Sequence, residues 1–336
     1  MPLLTTLVGA LPKRTYTPYA TGSGGYIIDD AYGGEYGRLQ QHRPLADVIA
    51  MQLFLGILKQ VQLGLDVPVD GELSRLVYWQ YNCLSMGGVE RHGDEVRVTG
   101  PISAGPPMLV DDWRQAQSFT ERPLKIATVG PATLSEYVVD QHYGDKRTLC
   151  RAFAAALKIE LEALAEAGCR WLQLDEPQLG FQPEMALAYG FEAVDACFAG
   201  LPAEVRRVLH ICRGYAPVDG DWEGRNPARP YARLAAAIED CAADVFSLED
   251  ASQYHEDLGF LEHLTSTSVM FGAVSNLDTN VEPVEQIRER LKTALDHIPP
   301  ERLIVAPDCG FGAYRDEDAS FVWQKLTNMV AAAKSL

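Results

Sequence analysis

Residues 146–177 read KRTLCRAFAAALKIELEALAEAGCRWLQLDEP, and they contain one full step of an α/β fold. Lys146–Ala167 is rich in Ala, Leu and Glu, with apolar positions at helical spacing. Gly168, directly after ALAEA, reads as a helix stop, because glycine enters the left-handed conformation without a Cβ penalty. Arg170–Asp175 then forms a short apolar run that ends in acids, the pattern of a strand buried on both faces.

The same alternation recurs outward in both directions. Strands are expected at Thr5–Gly9, Asp66–Asp70, Leu124–Val129, Arg170–Asp175, Arg206–Cys212, Asp244–Glu249, Ser268–Ser275 and Arg302–Asp308. Helical periodicity marks Leu45–Leu63, Glu184–Ala199, Tyr231–Cys241, Val284–His297 and Ala319–Leu336. Eight strands with crossover helices predict a (β/α)8 TIM barrel, with residues 1–336 forming one domain. An open doubly wound sheet is disfavoured, because no glycine fingerprint follows the first strand. Two long excursions are expected. Thr21–Gly37, TGSGGYIIDDAYGGEYG, lacks phosphate-loop spacing and is read as a surface loop or a lid over the barrel mouth. Tyr78–Gln117 separates the second and third strands.

Composition narrows the function. A net charge of −17 over 336 residues, with no run of Lys and Arg, argues against nucleic acid as a partner. No segment offers about eighteen uninterrupted apolar residues, so a membrane span is not expected. Met1–Leu11 is apolar but lacks the basic start of a secretion signal, and a cytoplasmic location is expected. The seven cysteines are an odd number in a large chain, which points to free thiols rather than a disulfide framework.

Barrel active sites form at the C-terminal ends of the strands. The reactive residues there are Glu72 in DGE, Asp175 and Glu176 in LDEP, His210 and Cys212 in HIC, Glu249 in SLED, and Asp308 and Cys309 in PDCG. His210 and Cys212 are two apart, so on a strand they share a face. With Cys309 and Glu249 they make an N, S and O donor set suited to Zn²⁺. Two thiolates and a carboxylate outweigh the ion's charge, and an electron-rich shell suits activation of a substrate thiol better than hydrolysis. A free thiol, with a pKa of roughly 8.5, is otherwise mostly protonated at neutral pH. Glu72 and Asp175 could hold a substrate ammonium or serve as ordinary rim charges. Glycoside hydrolysis by paired carboxylates would leave His210, Cys212 and Cys309 without a task.

Several stretches resemble a known family. TTLVGALPK, DVPVDGE, KIATVGPATL, WLQLDEP, VLHIC, ADVFSLE, FGAVSNLDTNVEPVEQI and ERLIVAPDCG occur in family order. Together they resemble the C-terminal catalytic barrel of cobalamin-independent methionine synthase, in its short, single-barrel core form. The resemblance implies His210, Cys212, Glu249 and Cys309 as zinc ligands and catalytic centre. It implies Val8, Gly9, Ala10, Glu72 and Asp175 as contacts of homocysteine, the methyl acceptor, and Tyr137 as an aromatic against the methyl donor. There are departures. Ala10 stands where the family usually has Ser, Tyr137 where it has Trp, Leu277 where it has a His, and Phe181 where it has an acid. The His and the acid concern the donor, so a donor other than polyglutamyl folate is expected, with a methyl-donor partner protein as one source. The alternatives are a zinc-dependent thiol transferase that opens epoxides, a non-catalytic zinc or thiol-binding protein and, by fold alone, a tetrapyrrole decarboxylase.

Overall fold

The computed structural model describes residues 2–12, 19–20, 26–27, 45–75, 78–93, 95–213, 230–252, 257–314 and 319–336. Seven parallel strands pair in the order Leu4–Thr5, Leu303–Pro307, Ser268–Val274, Val245–Leu248, Arg206–His210, Trp171–Asp175 and Lys125–Val129. The segment 66–70 fills the remaining gap. Val67 bridges Thr6 on one side and Val69 bridges Lys125 on the other, both in parallel, which closes the ring.

The expected Asp66–Asp70 strand is therefore present as two bridges rather than a ladder, and the intervening residue explains why. Pro68 has no N–H to donate, so pairing is interrupted between Val67 and Val69. Its carbonyl still accepts from the Lys125 backbone N–H at 2.9 Å. The other strands overlap the expected runs and are one to three residues shorter, the first beginning at Leu4, one residue before its run.

Two helices have the bounds that their periodicity predicted, Leu45–Leu63 and Lys146–Ala167. The second is capped at both ends. The Asp145 side chain accepts from the Thr148 N–H at 2.8 Å, and Gly168 sits at φ 111°. The helix expected over Glu184–Ala199 is broken by a π turn at Ala186–Gly190 before it continues as Phe191–Phe198.

The Tyr78–Gln117 excursion is ordered as a helix at Tyr78–Cys83, a hairpin of Gly87–His92 with Glu95–Ser103, and a helix at Leu109–Gln117. In the Thr21–Gly37 stretch only Tyr26–Ile27 is described, paired antiparallel with Tyr19–Ala20; the lid expected there otherwise lies outside the described residues.

Packing follows the barrel geometry. Val8, Val208, Val245, Met270, Ile304 and Ala306 cluster with Cys212 and Cys309, while the larger apolar core includes the helices outside the sheet. All seven cysteines are free. Among the described residues no helix is long and apolar enough to cross a membrane.

Candidate functional site

The strands deliver three metal-ligating groups to one point. His210 ends the Arg206–His210 strand, Cys212 follows two residues later, and Cys309 follows the Leu303–Pro307 strand. Their ligand atoms all lie within 4.8 Å of one another, and all three residues are buried. His210 Nε2 stands 3.5 Å from Cys309 Sγ. Its other ring nitrogen, Nδ1, is 2.8 Å from the Ser247 hydroxyl, which turns Nε2 toward the sulfurs.

The electrostatics of this cluster favour a cation. A hydrogen bond with Cys212, then burial, hold the Cys309 thiol well above its ordinary range. Burial alone would lower His210, but Cys212, Asp175 and Glu249 outweigh it and push the imidazole up. A thiol held protonated and an imidazole drawn toward its cationic form both mark a site of negative potential, which a bound divalent ion would offset. Zinc bonds of roughly 2.0–2.3 Å in a tetrahedron put neighbouring donors about 3.5 Å apart, so the observed N to S spacing fits such an ion.

Glu249 is placed differently from these three. It is buried and its charge acts on His210 and Cys309, yet its carboxylate lies outside the three-residue group. Its Oε1 accepts from the Arg213 backbone N–H at 3.2 Å, and its own N–H donates to the Tyr231 hydroxyl at 3.1 Å. Asp308 ties this loop to the next strand end but one. Its Oδ1 accepts from the N–H groups of Asp250 and Ala251, each at 2.8 Å, so the residue beside Cys309 also fixes the residues after Glu249.

A cavity of about 50 Å³ opens over the cluster, and His210, Cys212, Cys309 and Gly310 line one side of it. Val8, Gly9, Ala10, Glu72, Tyr78, Tyr137, Asp175 and Pro177 line the rest. All the expected acceptor contacts and Tyr137 therefore meet in one pocket with three of the four expected ligands.

Glu72 is held in an unfavourable backbone conformation, the single non-glycine residue with positive φ, at 53°, among the described residues. The turn that forces this is pinned by Asp70, which accepts from the Glu72 N–H at 3.3 Å and pairs with buried Arg75 at 2.6 Å. The Glu72 carboxylate rests on Gly9, where an added Cβ would come within 2.8 Å of Oε1. Asp175 lies across the cavity. Burial pushes its carboxyl up to about 7, with His210 opposing and Glu72 adding to the shift. Two acids sharing a small buried pocket each favour a cationic guest.

The aromatic wall is broader than the sequence suggested. Tyr137 is exposed at the mouth and meets Trp79 edge to face at 5.5 Å between ring centres. Tyr78 lies among Asp175, Tyr137, Cys212 and Glu72. Burial and those neighbours keep its hydroxyl protonated well above the ordinary range. Ser247, Tyr78, Lys125 and Gln173 escaped the sequence reading. Ser247 and Gln173 each carried a usable signal, standing two residues before Glu249 and Asp175 and so sharing their strand face.

Fold and site together define a class: a (β/α)8-barrel enzyme with a His-Cys-Cys cluster under a small acidic pocket. Residues 35–335 match the family model described as the catalytic domain of cobalamin-independent synthase, and the chain belongs to that family. It is similar to the "Methionine synthase" of Thermococcus kodakarensis, 28% identical over 279 residues, covering 80% of this chain and 76% of the relative. The protein of the same name from Pyrococcus furiosus is 29% identical over 286 residues, covering 81% and 78%. Among solved structures, a B12-independent methionine synthase from Shewanella sp. W3-18-1, in complex with selenomethionine, superposes with a TM-score of 0.85. It is 24% identical, with 100% of this chain and 98% of that chain covered, and it shows the shared fold.

Proposed function

We propose that this chain is a zinc-dependent methyltransferase that methylates the thiol of homocysteine to give methionine, with residues 1–336 acting as one catalytic barrel in the cytoplasm. The observation that carries the proposal is the single cavity that joins His210, Cys212 and Cys309 to Glu72 and Asp175. Family membership and relatives named methionine synthase support the same reaction. His210 through Nε2, Cys212 and Cys309 would hold the ion, with Glu249 as the fourth ligand. Bound there, zinc would supply a positive charge that keeps an incoming thiol deprotonated and nucleophilic.

The chain's own residues do the rest. Ser247 keeps the His210 ring turned so that Nδ1 is occupied and Nε2 faces the sulfurs. Glu72 and Asp175 grip the substrate ammonium and so set where its sulfur lies. Tyr78, Tyr137 and Pro177 wall the pocket and exclude water from the reacting sulfur. Tyr137, at the mouth, is the surface against which a planar methyl donor would lie, and Leu277 in place of a histidine supports a donor other than polyglutamyl folate.

Metal analysis followed by X-ray absorption, with and without homocysteine, tests this. The expected result is about one zinc per chain and one added zinc–sulfur contact with the thiol present. A protein that binds no zinc, or a zinc whose sulfur count is unchanged by homocysteine, removes the proposal.

A further inference from the structure

The interior of a (β/α)8 barrel is normally packed with branched apolar side chains. Here a lysine and a glutamine lie beneath the pocket instead, both 0% exposed. Neither lines the cavity, and neither belongs to the metal-ligating group. Lys125 opens the Lys125–Val129 strand and points inward. Its Nζ donates to the Val8 carbonyl at 2.9 Å and to the Gln173 side-chain oxygen, with Met270 Sδ at 3.8 Å. The Gln173 amide donates to the same Val8 carbonyl at 2.9 Å and to Asp175 Oδ1 at 2.7 Å.

These bonds converge on the two acids of the pocket from below. The Val8 carbonyl takes both donors and is fixed pointing into the barrel. The next residue is Gly9, whose backbone is the surface the Glu72 carboxylate rests on, leaving only 2.8 Å for a Cβ. The other arm of the network holds Asp175 directly. A buried lysine and amide are costly to desolvate, and an apolar pair would fill the same space, so packing gives no reason for their presence.

We infer that Lys125 and Gln173 are positioning residues for amino-group recognition: from beneath the pocket they lock the Val8–Gly9 backbone under Glu72 and the carboxylate of Asp175 into one clamp. This rests on the reading of Glu72 and Asp175 as the ammonium site.

The test uses Lys125→Met and Gln173→Met in the zinc-loaded protein, with calorimetric titration of homocysteine and of 4-mercaptobutyrate, which keeps the thiol and carboxylate but lacks the amine. The wild type is expected to bind homocysteine more tightly. Each variant is expected to raise the homocysteine Kd about tenfold, as the loss of a buried hydrogen-bond partner does, and to leave the 4-mercaptobutyrate Kd within about twofold. A purely structural role would weaken both thiols alike, and that result, or an unchanged preference in either folded variant, overturns the inference while the function stands. A wild type that does not distinguish the two thiols removes the ammonium site itself, and the inference with it. Gln173→Met leaves Lys125 in place and decides the matter should Lys125→Met not fold.

Discussion

The two ends of the barrel differ in a way that size alone would misread. At the N-terminal ends of the strands lies a cavity of about 470 Å³, lined by Leu3, Leu4, Trp171, Val245, Leu303 and Ile304 among others. At the C-terminal ends the cavity is about 50 Å³, yet it gathers Glu72, Asp175, His210, Cys212 and Cys309. The larger cavity is mostly greasy, with Asp66, Arg206, Glu301 and Lys334 as its charged lining, and one of its two acids is already committed: Asp66 accepts from the Thr5 N–H at 2.9 Å and the Thr5 hydroxyl at 2.7 Å. The smaller one gathers buried donors and acids around one point, and under the proposed function a cation and a substrate ammonium would balance them. Chemistry follows that electrostatic tension and not volume, and in this fold it collects where the loops leave the strands.

If that contrast is right, substitutions at the two ends should separate chemistry from stability. The largest effect is expected from Cys309→Ser, which should strip zinc and abolish methylation together; retention of activity in a metal-free variant would show that the cluster is not the reacting centre. Gly9→Ala comes next. Its new Cβ would press on Glu72 Oε1, so homocysteine should bind about tenfold more weakly, with zinc content unchanged, since a displaced buried carboxylate costs on the order of 1–3 kcal/mol. Equilibrium binding with parallel metal analysis checks this, and unchanged affinity would detach Glu72 from the substrate. The smallest functional effect is expected at the opposite end. Ile304→Ala enlarges a cavity that already exists, so it should lower stability by about 2 kcal/mol in denaturant titration while the KM for homocysteine stays the same. A shift in KM would mean that the two ends are coupled, and the contrast would fail.

What the sequence reveals, and what it hides, divides along the same line. Helices such as Lys146–Ala167 are legible because their period, cap and stop all agree. The ring of strands is legible because most of its strands are buried on both faces and so read as largely apolar runs. The 66–70 segment reads as an ordinary strand because its apolar pattern is intact, and only Pro68 warns that its ladder will be interrupted. In the site, His210, Cys212 and Cys309 declare themselves by residue type. Ser247 shares the strand face of Glu249, yet a lone serine in an apolar run names no partner until the neighbouring strand brings it to His210. Lys125 is hidden because its partners Val8, Gln173 and Met270 come from other segments of the barrel, whereas Gln173 shares a strand face with Asp175 and only its bond to Val8 is out of sight. Glu249 shows the reverse, since its type suggests a ligand while its carboxylate sits apart from the other three.

The conformation of Glu72 has a consequence for how such a chain changes over time. A glycine at position 72 would relax the twisted peptide and make the fold easier to keep, at the loss of the carboxylate. Selection for endurance alone would favour that exchange, so under the proposed function the strained acid at this position trades stability for its hold on the substrate.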